Sequence, residues 1–349
     1  MPKKITKSNK KLLCLGDFHL RPNLGYSDLI EDGRRQEKQQ ILDFIIKQSK
    51  DVEKIVILGD MLNSKQNASS VIKEAIEFLE KFGTKEIFIL LGNHEIISSS
   101  ENSAISFLKE IKGKNWHIIE SIQKIGEYVF APYLNNIMLG TETNSDGAKK
   151  AIELLESDKM LFCHQALSST SINGSNTDFF NEVVLPKKEL GKHFEKIFAG
   201  HVHQHNKDGK FLVASSIFMN EVNETEKYIY KIDEDTLDIE EIPLPGRQIL
   251  SIENPTSSDI KKLKPNSIVK AIITDKNFKP QIDDLKEQLE KQLTDGGFIF
   301  LEQIPKTRKK LHYDGEKSLL EFTVLELLEL YAKEKKIEFN LLKKGFELL

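Results

Sequence analysis

The chain has 349 residues, enough for about two domains of roughly 150 residues each. Hydrophobic residues make up 39% of the sequence, a share that supports a packed core and excludes a disordered chain. The net charge of -4 gives no global attraction to nucleic acid, so any contact with DNA has to come from a local patch or from bound metals.

Strand and helix signals alternate over the first two-thirds of the chain. Short apolar runs predict strands, and the stretches with helical periodicity between them predict helices. The first predicted strands are Lys11–Gly16, Lys54–Gly59, Glu86–Leu91 and Lys159–Cys163, and the helices are Arg34–Lys47, Ser70–Lys81, Ala104–Ile111 and Ala148–Glu156. Shorter strands are predicted at Trp116–Glu120, Tyr128–Ala131, Ile137–Gly140, Lys196–Ala199 and Phe211–Ala214. This pattern predicts an α/β fold, a sandwich of two sheets flanked by helices.

A second, smaller unit is predicted to follow the Leu244-Pro245-Gly246 turn. We therefore divide the chain into a large domain at 1–245, a small α+β domain at 246–305, a polar linker at 306–316 and a helical segment at 317–349. The small domain has the predicted order β–β–α–β, with strands Gln248–Ile252, Ser267–Thr274 and Phe298–Ile304 and helix Ile282–Leu293. The helical segment carries an apolar stripe that either binds a partner or covers the protein's own core.

We expect neither a membrane span nor a signal peptide from this sequence. No apolar run approaches the roughly 18 residues that a span requires, and the lysine-rich start lacks the apolar stretch of a signal peptide. Cys14 and Cys163 each lie in an apolar, strand-like segment and are predicted to be buried free thiols. We expect a cytoplasmic protein in a reducing compartment.

Polar residues follow five of the predicted strands directly. These residues form the motifs Asp17-Phe18-His19, Gly59-Asp60, Gly92-Asn93-His94-Glu95, His164 and Gly200-His201-Val202-His203. In α/β sheets the carboxyl ends of the strands are where ligands bind, and glycines allow the backbone to turn sharply there. One such motif has many innocent explanations, but five in order predict a metal site with two ions.

The residue types narrow the choice of ion. Side chains at positions i and i+2 of an extended segment project to the same side, so Asp17 and His19 can hold one ion, and His201 and His203 can contribute to a paired site. Carboxylate, amide oxygen and imidazole suit Mn²⁺, Fe or Zn²⁺ better than Ca²⁺. We expect two divalent ions from among Mn²⁺, Mg²⁺, Fe and Zn²⁺, and the order of affinities cannot choose between them because cellular availability often decides.

As a set, these motifs resemble the calcineurin-like metallophosphoesterase family over roughly residues 10–240. The resemblance implies that one ion is held by Asp17, His19, Asp60 and His203, and the other by Asp60, Asn93, His164 and His201. Asp60 would bridge them. Two such cations activate a shared water for in-line attack on phosphorus. His94 would face the site without binding metal, and we assign it to transition-state stabilisation or leaving-group protonation.

Weaker signals resemble SbcD-type DNA repair nucleases, in a phage or short bacterial form. They are the opening Leu15–Leu20 followed by the Arg34-Arg35-x-Glu37 helix, the Ile242–Ile252 segment where a capping domain would begin, and the helical pair Ser318–Leu349. With this resemblance, Mn²⁺ becomes the first expectation among the ions. The resemblance implies a DNA exo- or endonuclease that works in repair or recombination with an SbcC-like, SMC-type ATPase bound at the C-terminal helices. A homodimer is a further family expectation.

The substrate assignment leaves open questions. These nucleases often carry a histidine at the position of Asn63, where asparagine either orients a phosphate or caps a helix. Arg21 is a second substrate-contact candidate. Arg21, Arg34, Arg35 and Arg247 are candidate DNA-binding cations, although each could equally form a surface ion pair. The alternative function is a phosphatase or phosphodiesterase for a small nucleotide-type substrate, with the last hundred residues as a lid.

Overall fold

The computed structural model describes residues 10–97, 103–111, 113–168, 171–172, 175–176, 182–222, 224, 226–275 and 281–303, together with 329, 332 and 333. The predicted linker and nearly all of the predicted C-terminal helical segment lie outside the described residues. The strands are β1 (Lys11–Leu15), β2 (Lys54–Ile57), β3 (Glu86–Leu90), β4 (Trp116–Ile119), β5 (Gln123–Ile125), β6 (Tyr128–Ala131), β7 (Asp158–Cys163), β8 (Ser171–Ile172), β9 (Ser175–Asn176), β10 (Phe194–Ala199), β11 (Asn206–Asp208), β12 (Phe211–Val213), β13 (Tyr228–Asp233), β14 (Ile239–Pro243), β15 (Ile249–Glu253), β16 (Ile268–Ile273) and β17 (Gly297–Glu302). The α-helices are α1 (Arg35–Gln48), α2 (Ser69–Glu80), α3 (Asn136–Leu139), α4 (Asn144–Leu154), α5 (Lys187–His193), α6 (Ser257–Ile260) and α7 (Ile282–Gln292).

Two six-stranded sheets form the sandwich that the sequence predicts. The first has the order β14-β13-β1-β2-β3-β4, and the second has the order β11-β12-β10-β7-β6-β5. In the first sheet β1 to β4 are parallel, and in the second β6, β7, β10 and β12 are parallel. Antiparallel strands are added only at the outer positions. The carboxyl ends of β1, β2 and β3 therefore lie at one rim, and those of β7 and β10 at another.

Strand β1 shows why apolar runs without a polar face form the centre of each sheet. Leu13 and Leu15 pack under the helices on the outer face, whereas Leu12 and Cys14 pack between the two sheets. Successive side chains of a strand point to opposite faces, so a strand buried on both sides is apolar throughout. Fully burying each leucine stabilises the fold by roughly 1.5–3 kcal/mol. Cys14 and Cys163 are both buried free cysteines, as predicted.

A row of stacked aromatic rings crosses the layer between the sheets. Phe88, Phe130, Phe162 and Phe198 follow one another with ring centroids 4.8, 5.6 and 5.0 Å apart and nearly parallel planes. The first ring belongs to one sheet and the other three belong to its partner. Such pairs add roughly 0.5–1.5 kcal/mol each beyond simple burial, and within this row the Phe88–Phe130 pair joins the two sheets.

Two predicted elements of the large domain are wrong. Ile137–Gly140 is not a strand but part of α3, because the Asn135 side chain accepts a hydrogen bond from the Met138 N–H and Gly140 ends the turn at φ 64°. The predicted helix Ala104–Ile111 is reduced to a short 3₁₀ turn at Ser106–Glu110. The remaining helices begin and end within a few residues of their predicted bounds.

The third sheet contains β15, β16 and β17 in that order, and all three strands are parallel. Helix α6, which begins at the capping residue Thr256, was not predicted and makes the order β–α–β–α–β. One face of the sheet packs on α7 through Leu285 and Leu289. Ile249 and Ile268 instead join Met219 in a separate cluster, which attaches this unit to the loop before β13.

Candidate metal centre

The predicted site residues all lie at the carboxyl ends of central strands, and the structure brings them together. The residues that follow β1, β2 and β3 meet those that follow β7 and β10 where the rims of the two sheets converge. The converging residues are Asp17, His19, Asp60, Asn93, His94, His164, His201 and His203. Three sets among them have ligand atoms within 4.8 Å of one another: Asp17, His19 and His203; His19, Asp60 and His94; Asp17, Asp60 and His164.

The glycines of the motifs leave the space that the ligands occupy. A Cβ on Gly92 would lie 2.0 Å from Asp60 Oδ1, and one on Gly59 would lie 2.2 Å from His164 Nδ1. A Cβ on Gly200 would lie 2.7 Å from Asp17 Oδ1. No real Cβ contact is this short, so any larger residue would displace a ligand. These glycines are required for close approach, as the sequence predicts.

One group of ligands surrounds the end of β1. His19 Nε2 and His203 Nε2 are 2.8 Å apart, and His203 Nε2 is 3.3 Å from Asp17 Oδ2. Asp60 Oδ2 is 3.7 Å from His19 Nε2. The His201 backbone N–H donates to Asp17 Oδ2 at 2.9 Å, which ties the last motif to the first.

A second group lies on the other side of Asp60. His164 Nε2 is 3.3 Å from Asp60 Oδ2 and 3.1 Å from Asn93 Oδ1. The same Asn93 oxygen is 3.1 Å from His201 Nδ1. Asp60 Oδ2 is thus the atom that both groups share, and its position is the one that a bridging ligand requires.

Acceptor atoms face acceptor atoms in the second group. His164 Nδ1 is 2.7 Å from the Leu58 carbonyl oxygen, so this nitrogen carries the proton and Nε2 of the neutral ring presents a lone pair. That lone pair faces the oxygens of Asp60 and Asn93, which also only accept. Such an arrangement is repulsive unless a positive charge lies among the atoms. The donor set of carboxylate, amide oxygen and imidazole therefore fits divalent cations.

The pKa values of two of these histidines also indicate that the cluster favours positive charge. Burial opposes charge on His164, but Asp60 and Asp17 outweigh it and raise its pKa to about 9. Burial likewise opposes charge on His203, and hydrogen bonding to Asp17 and Glu224 raises its pKa to about 9. For His19 burial prevails and lowers the pKa to about 4. Without cations the carboxylates draw protons onto two rings, and bound cations would supply that charge instead.

Comparison with known proteins decides the family. The sequence model of calcineurin-like phosphoesterases matches residues 10–205. The chain belongs to the calcineurin-like phosphoesterase family. No curated protein matches the sequence. Among solved structures, the chain is similar to a dimetal phosphatase from Danio rerio, with 10% identity, a TM-score of 0.39, and coverage of 68% of this chain and 97% of that one.

In the phosphoesterase, His94 lies at the edge of the cluster, with a ring nitrogen within 4.8 Å of ligand atoms of His19 and Asp60. Its backbone N–H donates to Asp60 Oδ1 at 2.9 Å, and its Nδ1 donates to the Asn63 carbonyl oxygen at 3.0 Å. The His94 side chain is exposed, and its ring centroid lies 4.6 Å from that of His19. Asn63 does not cap a helix, because α2 begins at Ser69. The contact of Asn63 with His94 is made by its main-chain carbonyl oxygen, a role that the sequence did not indicate.

Three carboxylates of the phosphoesterase site had no predicted role. Glu95 is buried and accepts from the Leu62 and Gly92 N–H groups at 2.8 and 3.0 Å, which joins two ligand loops. Burial, with a contribution from Asp60, raises its pKa to about 8. Glu182 contacts His201, and Glu224 lies 3.7 Å from His203 Nδ1. Only Glu95 lies within a recognised motif, so only Glu95 had a local signal.

The predicted DNA-binding role of Arg34 is wrong. Its side chain is 0% exposed and forms two hydrogen bonds with Glu37, at 2.7 and 2.8 Å. It also donates to the Gly25 and Met219 carbonyl oxygens. Arg247 approaches the same Glu37 at 3.1 Å, so this pair of arginines joins α1 to the start of the third sheet. A double arginine at a helix start resembles a phosphate-binding patch in sequence, and burial alone distinguishes the two.

The two other candidate cations remain near the surface. Arg35 is exposed and donates to the Asp32 carbonyl oxygen. Arg21 follows the first ligand loop, and burial lowers its pKa although Glu221 acts in the opposite direction. Its Nε is buried without a hydrogen-bond partner among the described residues. Within the described part of the chain, no helix has the length and apolarity to cross a membrane.

Proposed function

We propose that this phosphoesterase is a two-metal phosphodiesterase that acts on DNA, as an exo- or endonuclease in repair or recombination. The observation that supports two metals most strongly is the position of Asp60 Oδ2 between two groups of ligands. A single structural ion would need only one of these groups. Family membership supports phosphoester chemistry, and the ligand groups support the requirement for metal.

Two divalent cations fit the residues as follows. Asp17, His19, Asp60 and His203 would hold one, and Asp60, Asn93, His164 and His201 would hold the other. When bound, such a pair supplies Lewis-acid chemistry, lowering the pKa of water and neutralising charge on a phosphoryl group. We propose Mn²⁺ as the working ion, because oxygen and imidazole ligands are mixed and thiolates are absent from the set.

His94 has the geometry of a residue that acts on the substrate. Because the Asn63 carbonyl fixes the proton on Nδ1, the neutral ring presents Nε2 as an acceptor, and protonation converts Nε2 into a donor. The exposed side chain leaves this atom accessible to a phosphoryl oxygen or to the leaving group. We assign His94 to transition-state stabilisation or to protonation of the leaving oxygen.

Two features support DNA as the substrate. The sequence resembles SbcD-type nucleases in three features, and we propose that the third sheet is the capping domain. It attaches through Met219 to the loop that carries Glu224, beside the ligand His203. Arg21 and Asn63 are the proposed substrate contacts. Nearly all of the C-terminal segment at 317–349, proposed to bind an SMC-type ATPase, lies outside the described residues.

The test uses end-labelled linear duplex DNA and circular single-stranded DNA with Mn²⁺, Mg²⁺ or EDTA. We expect cleavage that depends on Mn²⁺ and disappears in Asp60→Asn. Cleavage of the circle establishes endonuclease action, whereas loss of label from linear ends alone establishes exonuclease action. If DNA is untouched while a small aryl phosphodiester is hydrolysed, the substrate is instead a small nucleotide-type phosphoester. Failure of deletion 316–349 to weaken association with the ATPase would overturn the partner assignment.

A further inference from the structure

His201 lies between the ligand cluster and a carboxylate outside it. On one side, Nδ1 is 3.1 Å from Asn93 Oδ1. On the other side, Nε2 is 3.1 and 3.0 Å from the two oxygens of Glu182. The side chains of His201 and Glu182 are only 13% and 16% exposed, so water competes weakly for this contact. Glu182 therefore contacts the ring nitrogen of His201 that faces away from the ligand cluster.

The contact determines which ring nitrogen is available to a metal. A carboxylate can only accept hydrogen bonds, so Nε2 of His201 carries the proton. The neutral ring then presents the Nδ1 lone pair to Asn93 and the second ligand group. The histidine also has a left-handed backbone, with φ 81°, which does not by itself fix the direction of the ring. The carboxylate supplies that direction.

We infer that Glu182 is a positioning residue that holds His201 ready for the cation shared with Asp60, Asn93 and His164. The inference rests on the proposed two-metal function and adds a residue to it. Partners of this kind fix the tautomer and orientation of metal-bound histidines and raise their basicity. His164 receives equivalent support from the Leu58 carbonyl oxygen at 2.7 Å, which no side-chain substitution can remove. In the second ligand group, the support of His201 by Glu182 can therefore be tested by a side-chain substitution.

Glu182 also lines a cavity of about 620 Å³ with Ser145, Lys149 and Glu189. Glu182 could therefore simply line this cavity and have no influence on metal binding, which is the competing explanation. Glu189 provides the matched control, because it lines the same cavity and pairs with Lys192 rather than with a histidine. Glu189→Gln removes one carboxylate from the cavity and leaves His201 unchanged.

The experiment titrates the metal-free protein with Co²⁺, followed by visible absorption, and with Mn²⁺, followed by calorimetry. The wild type should bind two equivalents. We expect Glu182→Ala to weaken one equivalent about 10- to 100-fold and to leave the other unchanged. Its titration should match that of Asn93→Ala, which lacks a ligand of the second group alone, and differ from that of His19→Ala. Glu182→Gln keeps an acceptor oxygen and should restore part of the affinity.

Three results would overturn the inference. They are wild-type affinity for both equivalents in Glu182→Ala, equal weakening of both equivalents in Glu182→Gln, or the same loss in the control Glu189→Gln. The thermal midpoint of each metal-free variant shows whether folding is preserved, and Glu182→Gln serves if the alanine variant does not fold. A wild type that binds fewer than two cations would refute the proposed function itself, before any Glu182 variant is made.

Discussion

Gly92→Ala should disable the site through a clash with Asp60, although alanine is compatible with the main-chain conformation of residue 92 itself. Gly92 has φ −98° and ψ 173°, an extended conformation that alanine adopts freely. Its amide would still donate to Glu95. The only new atom is a Cβ that would lie 2.0 Å from Asp60 Oδ1, 2.3 Å from Asp60 N and 2.5 Å from Asp60 Cγ. Since ordinary contacts begin at 3.4 Å, the carboxylate has to move by roughly 1.4 Å.

The expected losses of stability, rate and metal affinity in Gly92→Ala follow from the position of Asp60 in a dense interior and in both ligand groups. Overpacking of a dense interior costs about 1–3 kcal/mol, so the thermal midpoint should fall by a few degrees. A catalytic group displaced by 1 Å loses about 10²-fold in rate. Because Asp60 Oδ2 belongs to both ligand groups, affinity for both cations should weaken together. The assay combines Mn²⁺ content after dialysis with hydrolysis of an aryl phosphodiester at saturating metal.

Gly191→Ala is the control for the same chemical change. Gly191 lies in α5, and its added Cβ would meet Phe211 Cζ at 3.5 Å, an ordinary contact. Alanine in a helix is favoured over glycine by about 0.5–1 kcal/mol, so this variant should be slightly more stable and fully active. A Gly92→Ala protein that retained both cations and normal turnover would refute the argument that close approach is what requires the glycine.

Three further substitutions test other parts of the site. His94→Ala should retain both cations and slow turnover by about 10²-fold, and loss of metal on dialysis would contradict its assignment to the substrate. Glu95→Ala leaves the Leu62 and Gly92 N–H groups without their acceptor and should lower the free energy of unfolding by about 1–3 kcal/mol for each, measured by urea denaturation. Arg34→Gln should cost about 3 kcal/mol because Glu37 loses the fully buried one of its two arginine partners and keeps only Arg247, whereas a changed salt dependence of DNA binding would restore Arg34 as a DNA contact.

The convergence of the candidate ligands could be predicted from the sequence because each of them follows a strand that is buried on both faces. Such strands are recognisable as apolar runs, and the carboxyl ends of parallel strands meet at one rim independently of the loop conformations. Asp17 and Asp60 could therefore be placed together before any contact was known. For His201 and His203 the prediction relied on an extended segment, whereas both residues have positive φ and their rings join different ligand groups.

The remaining errors arise where distant contacts decide the outcome. Glu182 and Glu224 reach their histidines from stretches without periodicity, so no local pattern marks them. Arginine is usually a surface residue, so the sequence around Arg34 does not mark it as buried. Only its contacts with Glu37 and two carbonyl groups in the structure show that it is buried. The four apolar-rich residues at Ile137–Gly140 are too few to distinguish a strand from a single capped helical turn.

The backbone of the ligand loops argues for function independently of the motifs. His19, Asp60, His201 and His203 all have positive φ values, of 47°, 46°, 81° and 30°. For residues with a Cβ this region costs on the order of 1–3 kcal/mol each, and glycine would relieve it. The contacts that enforce it include the Phe18 and His19 N–H groups, which both donate to the Asp60 carbonyl oxygen at 3.1 and 2.8 Å. Glycine would adopt this conformation without strain, so the presence of histidine and aspartate there favours the hypothesis that their side chains have a function where the loops converge.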